Sequence, residues 1–349
     1  TGSTNVAIGD LCLDANTTAS NNTGVGYASL SDNTTGASNT AVGRAALFDN
    51  TTGSNNSAFG YATLAALTTG SNNTAVGLEA LLVNTTGVNN VAVGKGAGLA
   101  MTTAVSNTCI GSEAGAGLTT GGENVFVGNR AGVGFTTGSQ NNIMGDNACA
   151  NGTITGGNNV VIGDNSAYAA TGAFASNTLI GGNNSNAITT GTNNLFLGKG
   201  AGNSGSPGGS ITTESHHIIL GDENITNAHI QVDWTVASDK RDKTEVTPLV
   251  MGLDFINKLE PVTYRWDKRS KYSKDQDVTP DGTHKEEQLD VGFLAQDVEE
   301  LEKEYGFNFE DKTNLMTNIS EGEKMYGLKY SKFVPALVKA VQELSKELD

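Results

Sequence analysis

A glycine that returns every seventeen residues decides what this chain can fold into. It stands at Gly9, Gly26, Gly43, Gly60, Gly77, Gly94, Gly111, Gly128 and Gly145, and slightly longer rows carry it on to Gly163, Gly181, Gly198 and Gly221. The residue before each of these thirteen glycines is apolar, as at Ile8, Val25, Phe59 and Leu220. Four residues before the glycine, Asn stands twelve times, and His217 is the exception. Thr-Thr-Gly recurs downstream at a fixed phase, for example Thr34-Thr35-Gly36 and Thr68-Thr69-Gly70. Gly, Asn, Ser and Thr in such excess fit disorder on composition alone. A disordered chain has no reason to keep phase, however, and a fixed period marks a stacked repeat.

Within a row, Thr74-Ala75-Val76 is a short segment bounded by Asn73 and Gly77, which reads as a strand ending in a turn. Thr74 and Val76 point to one face and Ala75 to the other. A second short segment is expected at Ala80-Leu81-Leu82, ahead of the Thr-Thr-Gly turn. The fold class that follows is mainly β: residues 1–237 form a parallel β-solenoid of 17-residue rows, with strands stacked about 4.8 Å apart. Twelve steps of that size make a rod of roughly 58 Å. Stacked Asn amides are expected to bond each other along it. Because one strand face carries small Ala, a single coil is expected to have little core of its own and to bury that face against identical copies. The rows resemble the head repeats of trimeric autotransporter adhesins and of bacteriophage tail fibres, both three-chain β-rolls, which implies a homotrimer.

Charge divides the chain in two. Residues 1–237 hold 4 of the 21 Lys+Arg and 13 of the 37 Asp+Glu, and the rest crowd into residues 238–349. Both parts are net negative, which argues against nucleic acid or an anionic membrane as partner. No apolar run reaches the roughly 18 residues that a membrane span needs. The first residue is Thr1 rather than Met and no signal peptide is evident, so a fragment or a processed chain is expected. Cys12, Cys109 and Cys149 are odd in number and form no CxxC pair. Neither a disulfide framework nor a zinc site is expected, and no cofactor or metal is called for. Cys109 stands where other rows have Ala and reads as a small buried hydrophobe.

The composition changes at Val236-Ala237-Ser238-Asp239-Lys240-Arg241-Asp242-Lys243. This Ser-Asp-x-Arg-x-Lys run resembles the start of the intramolecular chaperone domain, peptidase family S74, found at the C-termini of phage tailspikes and tail fibres. Leu259-Glu260-Pro261-Val262-Thr263-Tyr264-Arg265-Trp266, Val291-Gly292-Phe293-Leu294-Ala295-Gln296-Asp297-Val298 and Tyr326-Gly327-Leu328-Lys329-Tyr330 extend the likeness in order. The resemblance implies a small α+β chaperone domain over residues 238–349 that trimerises, assists folding of the fibre ahead of it, and cuts itself off between Ala237 and Ser238. Ser238 is then the nucleophile, Lys243 its general base, and Asp239 and Arg241 supporting members of the motif. The chemistry stands on its own terms: a serine hydroxyl can attack the preceding carbonyl through a five-membered ring, and Lys serves as base once its pKa is lowered. His216, His217, His229 and His284 are given no role.

At the C-terminus, Ser331 is expected to cap a helix whose first turn holds Pro335. Val334, Leu337, Val341, Leu344 and Leu348 recur at spacings of three and four. That seam suits a three-chain coiled coil or an amphipathic helix lying on its own domain. The resulting expectation is a virion tail-fibre segment, assembled in the host cytoplasm, whose partners are its own copies, other tail proteins and a host surface glycan or receptor. A bacterial trimeric adhesin head, an ice-binding solenoid and a glycan hydrolase are the competing readings; carboxylates are too sparse in the rows for the last. Receptor contact is expected where the repeat is broken, at Tyr168 and Phe174 in the row between Gly163 and Gly181. Aromatics on rigid supports suit sugar rings.

Overall fold

Each row contributes one three-residue strand, from β1 (Val6–Ile8) through β5 (Thr74–Val76) and β8 (Val125–Val127) to β13 (Ile218–Leu220), and the thirteen pair in sequence order into one parallel sheet. The computed structural model describes residues 2–231, 234–273, 278–319 and 325–348. Register follows the repeat, so that Thr74 faces Val91, Ala75 faces Ala92 and Val76 faces Val93. The chain divides into two compact units, Thr1–Asn224 and Ile225–Asp349. The first ends ahead of the compositional boundary at residue 237.

The glycine closing each strand is there because of backbone geometry. From Gly9 to Gly181 these residues have φ between +129° and +143°, a region open only to glycine. At Gly43 a Cβ would also meet the Gly60 carbonyl oxygen at 2.3 Å. After it, the chain does not form the second strand expected at Ala80-Leu81-Leu82. Glu79 and Leu81 instead take φ of +57° and +53°, and the segment is a turn. Its amides are satisfied between rows, as when Leu64 N donates to Ala80 O at 3.0 Å and Leu81 N to Ala97 O at 3.0 Å. Left-handed residues other than glycine cost about 1–2 kcal/mol each. These positions hold Ala, Leu, Glu or Gly in the early rows and Arg130, Asn147, Cys149, Asn165, Asn183 and Ser185 later, with no β-branched residue among them.

The interior corrects a second expectation. Ala41, Ala58, Ala75 and Ala92 are fully enclosed by their own chain, so the Ala face does not look toward partner copies. A single coil has a continuous core because its bulk shifts sides. Leu30, Leu47, Leu64 and Leu81 fill the early rows against those alanines. Later the leucine position becomes Gly98, Gly115 and Gly132, and the volume comes from Phe126, Ile143 and Leu179 at strand centres and Met101, Leu118 and Phe135 at the turn. Phe126 stacks on Phe135 with centroids 5.3 Å apart. A Cβ on Gly132 would lie 2.4 Å from the Phe126 ring.

The Asn column runs through the buried part of this core. Asn90 Nδ2 donates to Ala104 O at 2.8 Å and to Asn73 Oδ1 at 3.1 Å, while its own Oδ1 accepts from Asn107 N at 3.0 Å and Asn107 Nδ2 at 3.1 Å. The same pattern continues to Asn194, whose Oδ1 accepts from the backbone N of His217 at 3.0 Å. Each side chain thus satisfies backbone groups that a turn would otherwise leave unpaired. Thr hydroxyls add a second column, Thr51 Oγ1 donating to Thr68 O at 3.0 Å.

The second unit is small and α+β. Helix α1 (Leu253–Lys258) precedes β14 (Val262–Tyr264), which pairs antiparallel with β15 (Asp290–Gly292). Helix α2 (Ala295–Glu304) leads to the antiparallel pair β16 (Thr317–Ile319) and β17 (Tyr326–Leu328), and α3 (Phe333–Leu348) closes the chain. Met251, Phe255, Val298, Leu301, Met316, Phe333 and Ala336 form the core. Glu302, almost fully buried, accepts from Leu315 N at 2.8 Å, Met316 N at 2.7 Å, Thr317 N at 3.1 Å and the Thr317 hydroxyl, pinning α2 to β16. Ser331 lies within the 3-10 turn Tyr330–Lys332 rather than at the cap of α3. Phe333, Ala336 and Ala340 seat α3 on its own domain, and the seam Val334, Leu337, Val341, Leu344 and Leu348 is left exposed.

Candidate functional site

A 3-10 turn at Lys240–Asp242 creates the site. Asp239 caps it, accepting from Arg241 N at 2.9 Å, and the Arg241 guanidinium clasps the same carboxylate at 2.6 Å. That clasp holds the Asp239 carboxyl below its usual range and pushes the guanidinium upward. The turn ends with Lys243 N donating to Lys240 O at 3.3 Å. Reversal over these residues brings two side chains five positions apart into contact: Lys243 Nζ donates to Ser238 Oγ at 2.6 Å.

Ser238, Asp239, Arg241 and Lys243 are therefore brought together, with Ala237 adjoining them. All five are exposed. A lysine serves as a base only as the neutral amine, and removal from water is what favours that form. The turn supplies the contact, and desolvation is the element a catalytic lysine still requires. On the approach to Ala237, Trp234 and Val236 are 73% and 76% exposed. In the sequence they alternate with polar Thr235.

The two aromatics singled out for receptor contact separate. Tyr168 is half-buried at the surface. Phe174 is fully buried in the solenoid core, where its carbonyl oxygen accepts from Asn159 Nδ2 at 2.9 Å. It offers no face to a sugar, which removes it from the contact. The regular rows are less plain than their repeat suggests. The Arg44 guanidinium lies between the rings of Tyr27 and Tyr61, at 5.8 and 5.6 Å from their centroids. The long row after Gly198 closes on Ser206, whose hydroxyl accepts from Gly202 N at 3.0 Å and donates to Asn203 O at 2.8 Å.

Cys109 and Cys149 are enclosed, and burial pushes the Cys109 thiol up to about 12 and the Cys149 thiol up as well. Among the described residues no group of three or more His, Cys, Asp or Glu is placed to hold a metal ion, and no helix is long and apolar enough to cross a membrane.

Residues 238–307 match the family model described as chaperone of endosialidase, Peptidase_S74. The matched segment opens on Ser238 itself, takes in Asp239, Arg241 and Lys243, and ends before the Tyr326–Tyr330 motif. No curated protein and no solved structure matches the chain. A β-solenoid followed by this chaperone module fits a phage tail fibre with a chaperone domain.

Proposed function

We propose that this chain is a trimeric shaft segment of a phage tail fibre, taking part in host attachment, whose C-terminal module chaperones assembly and then releases itself by cutting between Ala237 and Ser238. The observation that carries the reading is the 2.6 Å contact of Lys243 Nζ with Ser238 Oγ at the first residue of the matched segment. In the reaction, the neutral Lys243 amine takes the Ser238 hydroxyl proton as Oγ attacks the Ala237 carbonyl carbon. The C–N bond breaks as the Lys243 ammonium returns that proton to the Ser238 nitrogen, which leaves as an amine, and Ala237 is held as an ester on Oγ. Water then hydrolyses the ester, freeing the Ala237 carboxylate and restoring the serine hydroxyl. Asp239 fixes the turn through Arg241 and so sets the distance between nucleophile and base. Assembly supplies the desolvation that the exposed dyad lacks, as neighbouring copies cover it.

Trimerisation is supported by α3, which docks through Phe333, Ala336 and Ala340 and still leaves the seam from Val334 to Leu348 uncovered. Two apolar faces on one helix serve two packings, and spacings of three and four suit a coiled coil. Parallel pairing along a solenoid is slow and leaves strand edges open to aggregation, so a module that gathers the chain ends sets register and raises local concentration. Tyr168 is retained as the surface aromatic offered to a host glycan. The test compares the wild type with Ser238→Ala on a denaturing gel. Two bands for the wild type and one for the variant are expected, and equal cleavage of both would overturn the assignment.

A further inference from the structure

The sheet of the solenoid has an outer face that its own chain leaves bare. The third residue of each strand points outward along the rod and is apolar in every row; ten of the thirteen are exposed, from 36% at Val93 to 60% at Ile8. Phe59, Val76, Ile110 and Ile162 stand in this column, which is unbroken because the sheet is in register from β1 to β13. Each leaves on the order of 50 Å² of apolar surface uncovered, making a strip of roughly 650 Å². A soluble monomer rarely shows a contiguous patch above a few hundred Å², and a stable interface takes about 800 Å² from each partner.

A second feature points to the same face. Three late rows carry extra residues, yet none of these enters the sheet: Val160 still faces Asn142 and Thr178, and Leu195 still faces Ile218. The additions are taken up in turns, the longest in the loop that Ser206 closes. Length varies where the surface is polar and is held fixed along the apolar column. A column repeating at the strand spacing over thirteen rows is matched, rung for rung, by another copy of the same column.

We infer that this column, Ile8 to Leu220, is the seam along which the shafts of identical copies meet. It replaces the enclosed Ala face as the contact surface. The inference rests on the trimeric reading above, and the test separates the two. In a Cys12→Ser background of the full chain, Val76→Cys and Ile110→Cys would be compared with Thr86→Cys, which lies on an exposed turn column of the same rows. After mild oxidation, chain-to-chain crosslinks are expected at residues 76 and 110 and not at 86, with trimers by light scattering throughout. Trimers that crosslink at 86, or at none of the three positions, would overturn the seam and leave the trimer standing. Monomers would overturn both. Val76→Lys is expected to reduce the trimer fraction at least tenfold while retaining the β-type circular dichroism of the wild type; trimers at wild-type yield would count equally against the seam.

Discussion

Replacing Asn90 with Ala is expected to destabilise the shaft by roughly 2–6 kcal/mol, since two buried backbone groups each lose a partner worth about 1–3 kcal/mol. The groups are Ala104 O and Asn107 N, which the Asn90 amide holds at 2.8 and 3.0 Å. Asn107 Nδ2 is not orphaned, because it also donates to Gly121 O at 3.0 Å. The loss is therefore local and does not propagate up the column. Asn90→Asp should be worse than Ala near neutral pH. Its carboxylate can still accept from Asn107, but an oxygen now confronts Ala104 O and Asn73 Oδ1, and a buried charge has no counter-ion. Burial raises the folded-state pKa of that carboxyl, so the folded protein binds the extra proton and the Asp variant gains stability as pH falls. The assay is the urea midpoint from pH 4 to 8, with amide exchange at Asn107 as the local probe and exposed Thr86→Ala as a control expected within 0.5 kcal/mol or so. An Asn90→Ala midpoint equal to the control, or an Asp variant insensitive to pH, would refute the argument.

Phe126→Ala should cost about 3–5 kcal/mol by opening a cavity, and Gly132→Leu added to it should recover part of the loss in thermal melts, whereas Gly132→Leu alone should prevent folding. In the second unit, Glu302→Ala strands the amides of Leu315, Met316 and Thr317 and should cost on the order of 3 kcal/mol or more, while Glu302→Gln keeps one acceptor and should retain part of that stability by denaturant titration. Lys243→Ala should remove most of the cleavage of assembled protein, read as the ratio of cut to uncut bands on a denaturing gel over time; cleavage at the wild-type rate in the variant would exclude Lys243 as the base.

Periodicity made the strands, their register and the Asn column legible, because a spacing of seventeen restricts both what can stack and which residues align. Parity alone could not say which strand face was inside. Ala75 and Val76 alternate whichever way the coil closes, and small Ala suggested a face too thin to fill a core within one chain. Size decides instead: the interior opposite Leu64 and Leu81 has room for Ala and not for Val. Nothing in Ala80-Leu81-Leu82 itself signals the left-handed backbone at Glu79 and Leu81, which the row-to-row hydrogen bonds of the turn stabilise. Phe174 is illegible for a related reason, because an aromatic in an irregular row gives no local sign of whether it faces the core or the surface. The proximity of Ser238 and Lys243 was legible, since both belong to one local motif and a single 3-10 turn brings them together. Their exposure was not, because a local motif says nothing of what packs around it.

Self-cleavage is the central claim, and the intact mass of the purified wild-type protein tests it most directly. Two species are expected, one ending at Ala237 and one beginning at Ser238, with their masses summing to the full chain plus one water. A wild-type sample that assembles into trimers and still shows only the full-length mass would contradict the account.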